Sequence, residues 1–457
     1  MKNSIYAFLC KDYENDMIAK LKDFIAIDST FDENTVDENN PFGKGVTKAL
    51  EFIANLARED GFKVTNYDNK VVEIICGEGE KNLTIMAHAD VVPAGEGWKH
   101  DPFNMVNEKG ILYGRGVADD KGPLLSCYYA LKAMRDNHLL GDYQVRFLVG
   151  GNEERGSACM EHYFHTLKKP QPTYGFTPDS DFPLIFAEKA IIHFVVSKKL
   201  ELNGIISIKG GTATNAVIDR CLVKMNENQL FLKYLKENKV EFEYELADDM
   251  MNITFIGLSA HGSTPQLGIN AGMIAIKSLA DFFDIEDLKH IVKCYSDLNA
   301  RGLNAYSYSE DMKENSLNVG IINYEDGFFS MTVDFRHVNG VRSEELLEKI
   351  VETSKPFEIH IESKSKLLYY PLDSVLVKTL LSAYQEETGD FESEPLAIGG
   401  GTYAKEADNV VAFGLQFPGR DAKMHSPGEN VSIEDLNKAM AIYARAIVEL
   451  GKKIDEN

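Results

Sequence analysis

His88 and Asp90 stand two residues apart where the apolar run Leu83-Thr84-Ile85-Met86-Ala87 gives way to polar sequence. Residues two apart on a strand share a face, so an imidazole and a carboxylate leave the chain on the same side. A metal-bound histidine usually donates its second ring N–H to a carboxylate or carbonyl, and Asp90 is placed to be that partner. Asp119-Asp120 follows within Gly114-Arg115-Gly116-Val117-Ala118-Asp119-Asp120-Lys121-Gly122, where glycines let the backbone turn tightly and aim an acid back at a strand end. Val149-Gly150-Gly151-Asn152-Glu153-Glu154 ends a second apolar run in two carboxylates. Neighbouring carboxylates repel unless a metal ion or strong base lies between them. Tyr174-Gly175-Phe176-Thr177-Pro178-Asp179 puts another acid at a strand exit, and Lys423-Met424-His425-Ser426-Pro427-Gly428-Glu429-Asn430 offers a late loop histidine. Imidazole and carboxylate donors without thiolates suit Zn, Mn or Co better than a structural zinc knot.

Each feature also has an ordinary explanation. Asp120 could simply cap the following helix. Glu153-Glu154 could be an exposed turn with acids in a first helical turn, and His425 a surface-loop residue.

The elements that must carry these residues follow from periodicity. Asp16–Ile27 and Gly45–Glu59 read as amphipathic helices, and Phe62–Tyr67, Val71–Cys76 and Leu83–Ala89 as strands. A helix over Pro123–Asn137 has proline in its first turn. Tyr143–Val149 and Tyr174–Thr177 read as strands and Cys159–Leu167 as a helix, which together predict a helix-flanked, mostly parallel α/β sheet. From residue 189 the segments become strand-rich: 191–201, 241–246, 252–258, 316–324, 328–337 and 357–363, with helices at 227–238, 271–283 and 343–354. This predicts an inserted α+β lid domain over 189–370. Helices at 374–388 and 433–450 and a strand at 410–413 then return the chain to the catalytic domain, 1–188 and 371–457.

The 457 residues exceed a single core, and 44% apolar with 26% charged residues is ordinary globular composition. A net charge of −23 excludes nucleic acid and anionic membrane as expected partners, because both need a basic face. No apolar stretch approaches the roughly 20 residues that span a bilayer. Met1-Lys2-Asn3 leads into mixed polar sequence, not into the apolar core of a secretion signal. Six cysteines without a C-x-x-C pair argue against zinc-thiolate or disulfide frameworks and predict a cytoplasmic protein.

Taken in order, these motifs resemble the dinuclear aminopeptidase/carboxypeptidase superfamily that includes carnosinases and aminoacylases. The sequence also resembles bacterial PepV-like dipeptidases closely, through Val91-Val92-Pro93-Ala94-Gly95-Glu96-Gly97-Trp98 and Gly399-Gly400-Gly401-Thr402-Tyr403. The resemblance implies two divalent metal ions, Zn first and Mn or Co as alternatives. Asp119 would bridge them, His88 and Asp179 would complete one site, and Glu154 and His425 the other. It implies further that Asp90 orients His88, that the Asp119–Asp120 peptide is cis, and that Glu153 is the general base. His261, in Leu258-Ser259-Ala260-His261-Gly262-Ser263 at the end of a lid strand, matches the family's oxyanion-stabilising histidine.

An enzyme acting at a chain terminus must also hold that terminus. Arg336 could grip a carboxylate bidentately, Gly400 and Gly401 could add backbone N–H donors, and Asn215 resembles a lid contact. The remaining eight histidines fall outside the motifs and read as structural or exposed. The expectation is a monomeric dipeptidase taking small peptides, Xaa-His or β-alanyl dipeptides among them. An N-acyl amino acid deacylase, or a non-catalytic peptide-binding protein, is the alternative.

Overall fold

The computed structural model describes residues 4–247 and 249–456, whose contacts divide into two compact units. The first comprises the chain up to Phe186, Tyr370–Leu396 and the stretch from Gly401 on. The second comprises Ala187–Tyr369 and Ala397–Gly400.

The first unit is built on a nine-stranded sheet that includes β1 (Lys63–Tyr67), β2 (Val71–Cys76), β3 (Asn82–His88), β4 (Gln144–Gly150), β5 (Tyr174–Thr177) and β6 (Val410–Ala412), in spatial order β1-β2-β4-β3-β5-β6. β4, β3, β5 and β6 are parallel, while β1 and β2 are antiparallel additions at the margin. Every residue of β3 is buried, as expected of a strand with parallel neighbours on both sides. The parallel run has a direct consequence for chemistry, because the carboxyl ends of β3, β4 and β5 open on one rim. His88 closes β3, Gly150 closes β4 just before Glu153-Glu154, and Thr177 closes β5 just before Asp179.

Three helices cover this sheet: α1 (Lys44–Glu59), α2 (Lys121–Asp136) and α3 (Ile433–Asp455). In α1 the buried Val46, Leu50, Ile53 and Ala57 recur every three or four residues and form one apolar stripe. The terminal helix α3 runs five residues past its expected end at Leu450, because Ile454 continues its buried stripe. Its first turn is capped by Ser432, whose hydroxyl accepts the Asp435 N–H at 2.9 Å. The expected helix over 159–167 is instead a short α-helix, Ala158–Glu161, continued by the π-turn His162–Thr166.

The second unit is an eight-stranded antiparallel sheet with helices Gln229–Glu237, Ala271–Phe283, Glu286–Tyr295 and Ser343–Ser354. Strand Arg220–Asn226 shows the logic, since Cys221, Val223 and Met225 are buried while the residues between them are exposed. That strand, its neighbour Ile205–Gly210 and the helix Glu286–Tyr295 do not stand out in the sequence. The exposed Leu222 between Cys221 and Val223 blurs the alternation of the first, and a register shift between Ile205 and Ser207 breaks the period of the second.

All six cysteines are free and buried. Among the described residues no helix is long and apolar enough to cross a membrane.

Candidate metal centre

The rim of the first unit gathers His88, Asp119, Glu154, Asp179 and His425 into two groups that share Asp119. His88 Nε2 lies 3.1 Å from Asp119 Oδ1 and 3.5 Å from Asp179 Oδ2. His425 Nε2 lies 2.8 Å from Asp119 Oδ2 and 3.3 Å from Glu154 Oε2. The two oxygens of one carboxylate thus face two different imidazoles. Within each group the donor atoms lie within 4.8 Å of one another, which is the crowding expected around a single ion.

Local structure explains how each side chain gets there. The Asp119–Asp120 peptide is cis. Asp120 occupies the capping position of α2 but makes no cap bond; its Oδ2 accepts the His88 N–H at 3.0 Å, so it supports the strand end instead. Asp90 meets His88 through its main chain as well as its carboxylate, which lies 3.5 Å from Nδ1. His88 Nδ1 is 2.9 Å from the Asp90 main-chain carbonyl, whereas the Asp90 carboxylate accepts the N–H groups of Glu153 and Glu154, each at 3.1 Å. The pair Glu153-Glu154 is therefore no free surface turn, because Asp90 ties it to the His88 strand.

Burial pushes the Glu153 carboxyl well above its ordinary value, with the charges of Asp179 and Glu154 adding to the shift. Burial and Asp119 push Glu154 up to about 7, and the same two causes raise Asp179. Burial would raise Asp119 as well, but His425 and His88 hold it well below the carboxylate range. Burial alone would pull the His88 imidazole down, yet Asp119, Asp179 and Asp90 drive it well up; Asp119 and Glu154 raise His425 to about 11. Glu154 Oε1 is buried without a hydrogen-bond partner. Buried His88 and Asp119, half-buried Asp179 and Glu154 and the more exposed His425 make an acid-rich donor set with an orphaned carboxylate oxygen, which is what divalent cations satisfy, so these residues fit a pair of ions.

Three residues without an assigned role in the sequence reading support the centre. Glu429 is buried and accepts the N–H groups of Gly116, Ala118 and Asp119, while Arg115 pairs with its other oxygen. Lys121, also buried, donates through Nζ to the carbonyls of Phe24 and Ile27. All three lie inside the quoted motifs, and that was the one available signal.

The second unit brings its own candidates together. Arg336 is buried and side-on to Asp334, with Nε at 3.0 and 3.1 Å from the two carboxylate oxygens and Nη2 at 2.7 Å. Its Nη1 donates to the Gly399 carbonyl at 2.6 Å, so much of the guanidinium is engaged within the unit. A Cβ on Gly399 would come 2.7 Å from the Ser263 Cβ, and Ser263 Oγ lies 2.6 Å from His261 Nδ1. The Gly262 N–H donates to the Asn215 carbonyl at 2.7 Å. His261 is exposed and stands beyond the strand Met250–Ile256, in a loop that bridges to Ala216, not at the strand end as expected. His193, expected to be merely structural, lies 3.5 Å from Asp334 in this same cluster. Gly400 belongs to this unit and Gly401 to the first.

The Bacillus subtilis protein named "Putative dipeptidase YtjP" is 33% identical to this chain over 458 residues, covering 96% of this chain and 98% of its own length. Among solved structures, human carnosine dipeptidase 1 shares the fold with a TM-score of 0.56 at 14% identity, over 98% of each chain. A tripeptidase from Staphylococcus aureus does so with a TM-score of 0.58 at 15% identity, over 96% of this chain and 99% of that one. The family model described as peptidase family M20/M25/M40 matches residues 84–449. The chain therefore belongs to peptidase family M20/M25/M40, whose members hydrolyse peptide bonds.

Proposed function

We propose that this chain is a dinuclear metal-dependent dipeptidase, with His88, Asp119 and Asp179 around one ion and Asp119, Glu154 and His425 around the other. The observation that carries this reading is the Asp119 carboxylate, whose oxygens face separate histidine–carboxylate groups at 3.1 and 2.8 Å. Two divalent ions, when bound, supply the Lewis acidity that draws a water's pKa toward neutrality and polarises the scissile carbonyl. Glu153 takes the proton of the attacking water and returns it to the leaving amine. Asp90 fixes the turn that aims Glu153, and Asp120 fixes the strand end that carries His88. His261 donates to the developing oxyanion. Arg336 keeps one N–H on each of Nη1 and Nη2 outside its bonds to Asp334 and Gly399, and these engage the substrate carboxylate. Asn215 and the backbone N–H groups of Gly400 and Gly401 complete the grip on a small peptide.

Zinc is the proposed resident ion, with manganese and cobalt suited to the same donors. The setting proposed is a cytoplasmic monomer. The test is a panel of dipeptides, Xaa-His and β-alanyl members included, set beside N-acyl amino acids, with chelator treatment and metal add-back. Turnover of dipeptides that chelation abolishes and metal restores is the expected result. Turnover of acyl substrates alone would make the chain a deacylase, and no turnover of either would favour a peptide-binding protein.

A further inference from the structure

We infer that Glu429 is a positioning residue that locks the shared ligand Asp119 to the loop delivering His425. The inference rests on the reading that the two groups hold ions. Glu429 is fully buried, lies four residues after His425, and spends its side chain on the segment that presents Asp119. Its Oε1 accepts the N–H groups of Gly116 at 3.0 Å, Ala118 at 2.9 Å and Asp119 at 3.2 Å. Its main-chain carbonyl accepts the Gly114 N–H at 3.2 Å. The adjoining Asn430–Ser432 strand pairs with Ile111–Tyr113, just ahead of the same segment. One residue therefore grips both ends of the Gly114–Asp119 turn.

The Arg115 guanidinium balances the charge of Glu429 by pairing with Oε2, and stacks on the Trp98 ring with 5.3 Å to the ring centroid. A neutralised carboxylate is a rigid acceptor and not an additional ligand, so its effect on the ions passes through the backbone of Asp119. Three N–H groups converging on one oxygen set the direction of that backbone. A carboxylate that must present one oxygen to each of two ions tolerates little rotation. The His425 loop and the Asp119 turn are then a single mechanical piece, although about 300 residues of chain separate them.

The test titrates metal-free protein with Zn²⁺ and with Co²⁺, reading stoichiometry, affinity and the Co²⁺ visible spectrum, together with a thermal melt. Wild type should bind two ions; if it binds none, the ion reading itself fails. Glu429→Gln should bind both ions roughly 10- to 100-fold more weakly and alter the Co²⁺ spectrum, as loss of a residue supporting a ligand does. Glu387→Gln is the control, because Glu387 is equally buried and paired with Arg445 at 2.6 Å in the same unit. It should lower the melting temperature and leave affinity and spectrum unchanged. Should Glu429→Gln not fold, Glu429→Asp keeps the charge and retracts the carboxylate by one methylene, and the same weakening is expected. Wild-type affinity in the folded Glu429 variant, or equal weakening in the Glu387 control, would overturn the proposal.

Discussion

The closest partner of His88 Nδ1 is the main-chain carbonyl of Asp90 at 2.9 Å, while the Asp90 carboxylate stands off at 3.5 Å. The backbone carbonyl is thus the nearer group that orients the ring, and the carboxylate's short bonds go to a second task, holding the N–H groups of Glu153 and Glu154. Asp90→Asn should therefore retain most of the bound metal and lower turnover by roughly 10- to 100-fold. Metal analysis alongside kcat checks this, and loss of metal in step with activity would show that the carboxylate orients His88 after all.

Glu153 and His88 should separate cleanly. Glu153→Gln leaves every proposed ligand in place and should reduce kcat by roughly 10²- to 10⁴-fold with near-normal metal content. His88→Ala should lose metal. Equal metal loss in the two variants contradicts the division of roles.

Chelation should cost stability as well as activity. Ligands that bind only the folded state stabilise it by RT ln(1 + [L]/Kd), about 2.7 kcal/mol at a hundredfold excess over Kd. Calorimetry with and without chelator should show a lower melting temperature for the stripped protein, restored by divalent ion. Identical melts would mean that the acid-rich rim is not relieved by cations.

The second unit should carry an acid-sensitive pair. Burial would raise Asp334, but His193 and Arg336 hold it below the ordinary carboxylate range. A folded-state pKa below the unfolded value of about 3.9 gives stability that is present above that value and lost as pH falls through the folded one. Urea unfolding followed from pH 7 down to about pH 2 should show this acid limb below about pH 4, and Asp334→Asn should flatten it. The same variant should raise KM more than it lowers kcat, since it frees Arg336 from its side-on pair. An unchanged acid limb would remove Asp334 from the account.

Gly150 should resist even alanine. A Cβ there would lie 2.2 Å from the Tyr403 hydroxyl and 2.8 Å from Cys159 Sγ, at the end of β4 where the acids emerge. Overpacking of this kind costs about 1–3 kcal/mol. Denaturant midpoints test it, and Tyr403→Phe in the same chain should recover part of the loss.

How much of this was legible in advance varies with the range of the interaction. Helices Ala271–Phe283 and Ser343–Ser354 and strands Val71–Cys76, Tyr174–Thr177 and Phe328–His337 have the bounds that periodicity predicts. Strands Ile205–Gly210 and Arg220–Asn226 were not legible, because a register shift breaks the period of the first and the exposed Leu222 between Cys221 and Val223 blurs the alternation of the second, leaving their sheet neighbours to place them. Arg336 and Asp334 stand two apart on one strand and so share a face, but that this face is buried and forces the two charges to pair is decided by the sheet.

The sequence by itself determined the donors: three apolar runs that end in imidazole or carboxylate, a glycine-flanked acid pair and a late histidine, with no thiolate among them. Ligands of a parallel α/β sheet bind at the carboxyl ends of its strands, so a polar group that ends a buried apolar run marks a site position from local pattern alone. Only the tertiary structure decided how those donors divide. It turned the two oxygens of Asp119 toward different histidines, gave Asp90 to the Glu153-Glu154 turn, and set Glu429 against a segment more than 300 residues earlier in the chain. Periodicity and capping act over a few residues, whereas a buried charge takes whichever partner the folded chain brings within reach.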